Sequence, residues 1–184
     1  MKTVEKRYES RTEVNRSKFL TLLVPYSEFS GLQEELKKEH PKANHVVYAV
    51  RYLNGYDQIV ENSSDDNEPK GCAGVPALNV LRGEELINTA VLIVRYFGGI
   101  KLGTGGMARA YAQAVKDVIA QAELSVYEKK AEHTFATDYS AIDKTLYALK
   151  QEGITDIERV YGINEVIWKI AASEEKIVRW RDRG

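Results

Sequence analysis

The sequence predicts an α+β protein of two domains. Its 184 residues are more than one minimal domain needs and fewer than two average domains contain. Hydrophobic residues make up 43% of the chain and charged residues 29%, the balance of an ordinary globular protein. Strand-like apolar runs alternate with segments of helical period, and this pattern restarts between residues 125 and 133. We therefore predict one domain over residues 1–128 and a second over residues 129–184.

The first domain is predicted to be an antiparallel or mixed sheet backed by two main helices. The pair Asn54-Gly55 favours a hairpin turn between two of its strands. The run at 89–96 lacks polar alternation, which predicts a strand covered on both faces. Runs of β-branched and aromatic residues predict strands at 17–24, 45–52, 56–61 and 89–96. Apolar spacing predicts helices at 27–40 and 106–122, and Pro76 in a first turn predicts a helix at 76–81.

The second domain is predicted to be ferredoxin-like but incomplete. Its pattern gives a strand at 126–136, a helix at 140–152, a hairpin of strands at 154–161 and 166–172, and a last helix capped by Ser173. This β-α-β-β-α order lacks the fourth strand of a ferredoxin-like unit. We therefore expect a truncated sheet with one bare edge.

Composition excludes several classes of function. Lys and Arg number 26 and Asp and Glu 27, so a net charge of -1 excludes a basic protein that coats DNA. No apolar run approaches the roughly 20 residues that span a bilayer, and the first residues do not resemble a secretory signal. One cysteine and three histidines make a disulfide or a Cys/His zinc site unexpected. We expect a cytoplasmic protein with no membrane partner and no cofactor.

The first candidate site is an acidic loop over residues 62–71. Asp65, Asp66 and Glu68 bring three carboxylates within four residues. Such carboxylates can hold Mg²⁺ or Ca²⁺, or one can act as a general base where burial raises its pKa. The spacing is not that of an EF-hand. The alternative, which the pattern favours, is a solvated loop whose Asp and Asn side chains make their own turn hydrogen bonds.

The second candidate site is a glycine loop over residues 98–106, between a strand and a helix. Five of the 13 glycines lie in these nine positions. Such a loop can hold a phosphate, because glycines permit close approach and free N–H groups at a helix start attract anions. The spacing fits neither a Walker A loop nor a Rossmann fingerprint, and a tight turn alone is the alternative. The candidate ligand-binding residues are Arg95, Gly98, Gly99, Lys101, Gly103, Gly105, Gly106 and Arg109.

Arg109 is the most informative of these residues. It is roughly 200° around the helix from both Met107 and Tyr111, which belong to the buried stripe. A cation near a helix N-terminus costs about 0.3–1 kcal/mol when exposed. We therefore expect Arg109 to face a bound anion or a carboxylate of the acidic loop.

Both loops resemble signatures of the IMPACT family, in its bacterial YigZ-like branch. Residues 65–76, DDNEPKGCAGVP, resemble the family's Asp-Asp-Gly-Glu-Pro-x-Gly-Thr-Ala-Gly-x-Pro. Residues 95–106, RYFGGIKLGTGG, followed by Arg109-Ala110-Tyr111, resemble its second signature. RSKF at 16–19 and HPKANH at 40–45 also fit, and the match covers residues 1–183. Asn67 and Cys72 depart from the usual glycine and threonine, and the chain ends at Gly184, earlier than this branch leads us to expect.

The resemblance implies a fold and a role in translation. The N-terminal domain would resemble the fold shared by a ribosomal small-subunit protein and domain IV of elongation factor G. The C-terminal domain would resemble the last domain of that factor. The eukaryotic relatives regulate translation by competing for an activator of an initiation-factor kinase. Fold by itself does not fix function.

Three functions stay open at this point. The first is a translation-associated protein that binds RNA or the ribosome, with Arg95, Lys101, Arg109 and Lys18 on phosphates. Tyr96 and Phe97 would then stack on bases, and a role in the core is the open alternative for both. The second is a metal-assisted enzyme on a small phosphorylated substrate, with Mg²⁺ held by the acidic loop. The third is a regulator that binds a translation-regulating protein. The first two place the site in the first domain, where we expect the two loops to meet, and the third predicts an exposed apolar patch outside the two loops.

Overall fold

The computed structural model describes residues 1–183 and divides the chain into two compact units between Tyr127 and Glu128. The boundary predicted from the sequence lies one residue later. Across the described residues, no helix has the length and apolar character needed to cross a membrane.

Unit 1 has seven strands: β1 Lys2–Thr3, β2 Tyr8–Val14, β3 Ser17–Pro25, β4 His45–Leu53, β5 Ile59–Ser64, β6 Thr89–Tyr96 and β7 Ser125–Val126. Five of them form an antiparallel sheet in the order β2-β3-β6-β4-β5. A separate two-stranded ribbon joins β1 to β7. The helices are α1 Leu32–Glu39, α2 Gly74–Gly83 and α3 Gly103–Ala120.

Helices cover both faces of this sheet. On one face, α2 and α3 bury a core that includes Leu81, Ile93 and Tyr111. On the other face, Leu32 and Leu36 of α1 form a second core with residues of β3, β4 and β6. The central strand β6 is buried on both faces, as its unbroken apolar run predicts. The sheet is wholly antiparallel, and three helices back it where two main ones were expected.

Unit 2 is a three-stranded antiparallel sheet with two helices. Its elements are β8 Lys130–Thr137, α4 Ile142–Gln151, β9 Asp156–Tyr161, β10 Val166–Ser173 and α5 Glu174–Asp182. They follow the predicted β-α-β-β-α order, with the strands arranged β8-β10-β9. Trp168 is the largest fully buried side chain described in this unit. Among residues 1–183, no further strand pairs with the free edge of β8.

Several predicted elements need correction. The helix predicted over residues 27–40 begins only at Leu32, because Gly31 has a φ of 80° and separates it from a short 3-10 turn. Residues 62–64 of the acidic loop belong to β5, and the single strand predicted at 126–136 is two strands. Ser173 occupies the N-cap position of α5, but its side chain makes no capping hydrogen bond. No strand was predicted before residue 17, although β1 and β2 lie there.

Candidate functional site

Asp65 closes the acidic loop and holds the start of α2. Its carboxylate accepts hydrogen bonds from the backbone N–H groups of Gly71, Ala73 and Gly74 at 2.8, 3.1 and 2.8 Å. Burial by itself would raise the pKa of Asp65, but the three donors outweigh burial and lower it. The carboxylate that was a candidate metal ligand therefore already serves as a cap.

Asp66 joins the same loop to β4 and α1. Its Oδ2 accepts a hydrogen bond from the N–H of Val46 at 2.7 Å, and its Oδ1 lies 2.9 Å from the Lys37 ammonium. The Asp66 hydrogen bond raises the pKa of Lys37. Asp66 and Asn67 both have positive φ, at 44° and 67°. The turn therefore survives the replacement of glycine by Asn67, as the tolerance of Asn for this conformation predicts.

Glu68 connects the acidic loop to the elements that flank the glycine loop. Its side chain is buried, and Oε1 accepts hydrogen bonds from the Arg95 guanidinium and from the Tyr111 hydroxyl, the latter at 2.7 Å. Its Oε2 lies 3.6 Å from Nε2 of His45. Burial, followed by the nearby Glu68 carboxylate, raises the pKa of Tyr111. The acidic loop therefore contacts the strand and the helix on either side of the glycine loop, through Arg95 and Tyr111.

Arg95 is part of this scaffold and is closed to solvent. Only 4% of it is exposed, and besides Glu68 its guanidinium lies 3.4 Å from the Met107 sulfur and 3.4 Å from the Ser17 hydroxyl. Its expected contact with a ligand phosphate is therefore not supported, because the donors face inward. Within residues 1–183, no group of three or more His, Cys, Asp or Glu side chains is arranged to hold a metal ion.

Gly98 fixes the glycine loop against the β2–β3 hairpin. A Cβ atom at Gly98 would lie 2.0 Å from the carbonyl carbon of Arg16, so no other residue fits there. The Gly98 N–H also lies 3.3 Å from the Ser17 hydroxyl, which accepts its hydrogen bond. Gly99 and Gly103 take left-handed φ angles of 84° and 70°. The glycines thus bring the hairpin tip to the start of α3.

Helix α3 begins three residues earlier than predicted and has an open N-terminus. Its N-cap residue is Leu102, which supplies no side-chain hydrogen bond to the first turn. The guanidinium of Arg109 folds back over that turn, since a Cβ atom at Gly105 would lie 3.4 Å from its Nη1. Met107 and Tyr111 are buried while Arg109 is exposed, which confirms the predicted face of the helix.

We call four exposed cations the cation surface: Arg16 at the hairpin tip, Lys18 at the start of β3, Lys101 in the glycine loop and Arg109 on α3. Arg16 packs its backbone on Gly98, and Arg109 lines a cleft of about 340 Å³ with Asn15 and Leu102, the chain neighbours of Arg16 and Lys101. In the described part of the chain, none of the four cations forms an ion pair. The sequence missed Arg16, because only the fold brings the hairpin tip to the glycine loop.

Arg109 does not meet the acidic loop. Asp65, Asp66 and Glu68 all contact other groups, so the expected pairing of Arg109 with one of them does not occur. We expected Arg109 to face either a carboxylate of this loop or a bound anion. The structure excludes the carboxylate. His45 and Tyr111 were also missed as members of the buried network, because sequence spacing carries no sign of their partner Glu68.

Comparison with known proteins gives consistent matches. Residues 15–119 match the model of the Impact N-terminal domain. An IMPACT family member of Haemophilus influenzae is 31% identical over 176 residues, covering 88% of this chain and 84% of that protein. The IMPACT family member YvyE of Bacillus subtilis is 36% identical over 155 residues, covering 81% of this chain and 69% of that protein.

Solved structures extend the likeness to the fold. The crystal structure of a hypothetical protein is 27% identical and aligns with a TM-score of 0.66, covering 99% of this chain and 89% of that one. This match supports the mixed α and β architecture across both units. The two-domain translational regulator Yih1 aligns with a TM-score of only 0.37, over 65% of this chain and 46% of that one, at 23% identity. That value is too low to support an inference.

Proposed function

Because the chain belongs to the IMPACT family, we propose that it binds RNA or a ribosomal surface in the regulation of translation. The contact would be made by the cation surface and by the open N-terminus of α3, with phosphates as the bound groups. A role in translation places the protein in the cytoplasm, and that location is part of the proposal.

The observation that carries this proposal is the position of Arg109. Its guanidinium lies over the uncapped first turn of α3, where backbone N–H groups already provide partial positive charge. Two positive groups at one point are unfavourable unless an anion joins them. Among residues 1–183, no carboxylate takes that place. A phosphate is the anion that suits both a guanidinium and a helix N-terminus.

The other three cations of the cation surface would add further phosphate contacts to this one. Lys101 lies in the glycine loop, and Arg16 and Lys18 lie at the hairpin tip that packs on Gly98. Exposed cations without protein partners keep their charge available to phosphates, and such contacts provide most of the sequence-independent affinity for RNA. The net charge of -1 does not oppose this, because the contact depends on a local patch.

No observation favours the metal-assisted enzyme. That function needs carboxylates free to take Mg²⁺ or a proton. Here Asp65 caps α2, Asp66 binds β4 and Lys37, and Glu68 is paired with Arg95. The acidic loop is therefore assigned to the scaffold that holds the glycine loop.

The salt dependence of RNA binding tests the proposal. We expect a stem-loop RNA to bind at about 50 mM salt and to weaken with a log-log slope of roughly -2 to -3, which corresponds to about three phosphate contacts. Arg109→Ala and Lys101→Ala should each weaken binding and reduce the slope by about one. Arg109→Ala should leave the melting temperature unchanged or slightly raised, because an unfavourable cation leaves the helix start.

Lys144→Ala is the matched control, since it removes an exposed lysine of unit 2 without an ion pair in the described chain. It should change neither the affinity nor the slope. Absence of binding at low salt would refute the proposal. An equal loss for Lys144→Ala and Arg109→Ala would refute the assigned surface. Unfolding of Arg109→Ala would instead identify Arg109 as a structural residue.

A further inference from the structure

A second cleft, of about 480 Å³, lies beside the cation surface on the face of the sheet that α1 partly covers. Strands β2, β3 and β6 form its floor, and the chain just after α1 closes one side. Lys18, one of the four cations of the cation surface, also lines this cleft. The side chains used below are Arg11, Glu13, Lys18, Leu20, His40 and Tyr96.

The floor of the cleft is aromatic and apolar. Tyr96 and Leu20 are half-buried and pack against the core beneath α1. The Tyr96 hydroxyl lies 2.7 Å from Nδ1 of His40, so a hydrogen bond fixes the ring. A fixed, half-exposed aromatic ring beside an aliphatic side chain is a surface on which a planar ring can stack.

The rim of the cleft is cationic. Arg11 and Lys18 are exposed, and neither forms an ion pair within residues 1–183. In the strand pairing, Arg11 lies opposite Leu20 and Lys18 lies opposite Tyr96, so each cation flanks the floor. Glu13 lies opposite Lys18 and is the one acid on the rim. Its carboxylate suits a hydrogen bond from the amino group of a base.

We infer that this cleft takes an unpaired nucleotide of single-stranded RNA, with the base on Tyr96 and the flanking phosphates at Lys18 and Arg11. An apolar floor beside two unpaired cations matches a base that carries phosphates. A duplex keeps its bases stacked inside the helix and cannot fill the cleft. The inference rests on the proposed function and adds to it the class of RNA, so that single strands are preferred to duplexes.

The test compares a fluorescently labelled single-stranded RNA with a blunt RNA duplex of the same length, by anisotropy at one salt concentration. Tyr96→Leu keeps an apolar side chain but removes the stacking ring. It should weaken binding of the single strand between about fivefold and a hundredfold, the range for loss of one stacked base. Binding of the duplex should stay within about twofold, because the duplex does not use the cleft.

Two further variants keep the test decisive. Tyr56→Leu removes a tyrosine that is 87% exposed in the β4–β5 turn and should change neither affinity. Arg11→Gln alters only an exposed side chain of an edge strand, so its RNA affinity can be measured even if Tyr96→Leu does not fold. It should weaken the single strand alone and reduce the magnitude of its salt slope by about 0.7.

The outcomes separate this inference from the proposed function. If single strand and duplex bind equally and neither Tyr96→Leu nor Arg11→Gln has an effect, the cleft does not bind a nucleotide. The proposed RNA-binding function is then unaffected. Equal losses on both RNAs also overturn the inference about the cleft. Loss of a protein partner, but not of RNA, in Tyr96→Leu would assign the cleft to a peptide and overturn it. No binding of either RNA at low salt overturns the proposed function itself.

Discussion

Arg95 and Glu68 form the most strongly buried ion pair described in unit 1. Their side chains are 5% and 3% exposed, and the pair ties the acidic loop to β6. The Tyr111 hydroxyl adds a third element, α3, through its hydrogen bond to Glu68. The Arg95 Nε is buried without a hydrogen-bond partner in residues 1–183, so the guanidinium is held by its two Nη atoms. Such a pair is costly to break from one side.

Arg95→Met should therefore destabilise the protein by about 3–5 kcal/mol, because Glu68 is left buried and uncompensated. The double variant Glu68→Leu with Arg95→Met should lose clearly less than the sum of the two single variants. Urea unfolding measures both effects. The RNA affinity of the folded fraction should be unchanged, since Arg95 does not face the cation surface. A stable Arg95→Met protein that no longer binds RNA would show that Arg95 belongs to the RNA-binding site.

At the scale of single residues, conformation and exposure could be predicted from the sequence, but the contact partners could not. The sequence correctly predicted an exposed face for Arg109, and Asn67 tolerates the positive φ that its turn requires. The sequence could not show that Asp66 binds the N–H of Val46, twenty positions earlier, or that Glu68 reaches Arg95 across 27 positions. Those contacts depend on how strands and helices pack, which spacing along a chain does not encode. The sequence therefore cannot distinguish an acidic cluster that binds a metal ion from one that holds the fold together.

Helix α2 depends on a carboxylate that lies outside it. Its own N-cap, Ala73, supplies no side-chain hydrogen bond, and Asp65 supplies the acceptor instead. The negative charge also suits the positive end of the helix. The acidic loop and α2 thus form one structural element whose stability depends on the ionised state of Asp65.

Asp65→Asn should lower the free energy of unfolding at neutral pH by about 1–3 kcal/mol, since a neutral amide accepts these N–H groups less strongly. The pKa of folded Asp65 is lowered, so its contribution is fully present above the unfolded value of about 3.9. That contribution is lost as the pH falls through the lowered folded pKa. The difference between wild type and Asp65→Asn should therefore shrink below about pH 4 in urea titrations.

Glu9→Gln is a suitable control for this titration, because it removes an exposed carboxylate of β2 that has no ion pair in the described chain. Its effect on unfolding should be small at every pH. If the difference for Asp65→Asn were constant with pH, the charge of Asp65 would not be what holds α2.

Elements were predicted best where one physical signal dominates. Strand β6 matches its apolar run at residues 89–96, because burial on both faces removes every polar alternation. Strand β2, YESRTEV, gave no prediction because it lies at the sheet edge, and only Ser10 of its seven residues is buried. The start of α3 was placed too late, since glycines at 103 and 105 are poor helix formers. Packing against the hairpin tip outweighs that preference.

On the scale of the whole molecule, each unit has a core of its own. The two cores of unit 1 lie on opposite faces of its sheet, and the core of unit 2 surrounds Trp168. Both tryptophans of the chain, Trp168 and Trp180, belong to unit 2. Tryptophan fluorescence therefore reports the unfolding of unit 2, while amide exchange of residues 89–96 reports that of unit 1. This division allows a substitution in the site to be followed separately in each unit.

Gly98→Ala should lower the stability of unit 1 by about 2–4 kcal/mol, because the new methyl group would lie 2.0 Å from backbone that cannot move without displacing the hairpin. Gly105→Ala is the matched control. Its methyl group would meet only the flexible Arg109 side chain, at 3.4 Å, and alanine favours the helix. Exchange of residues 89–96 should accelerate in Gly98→Ala alone, with the tryptophan unfolding midpoint in place. A shared shift of both signals would show that the chain unfolds as one cooperative unit.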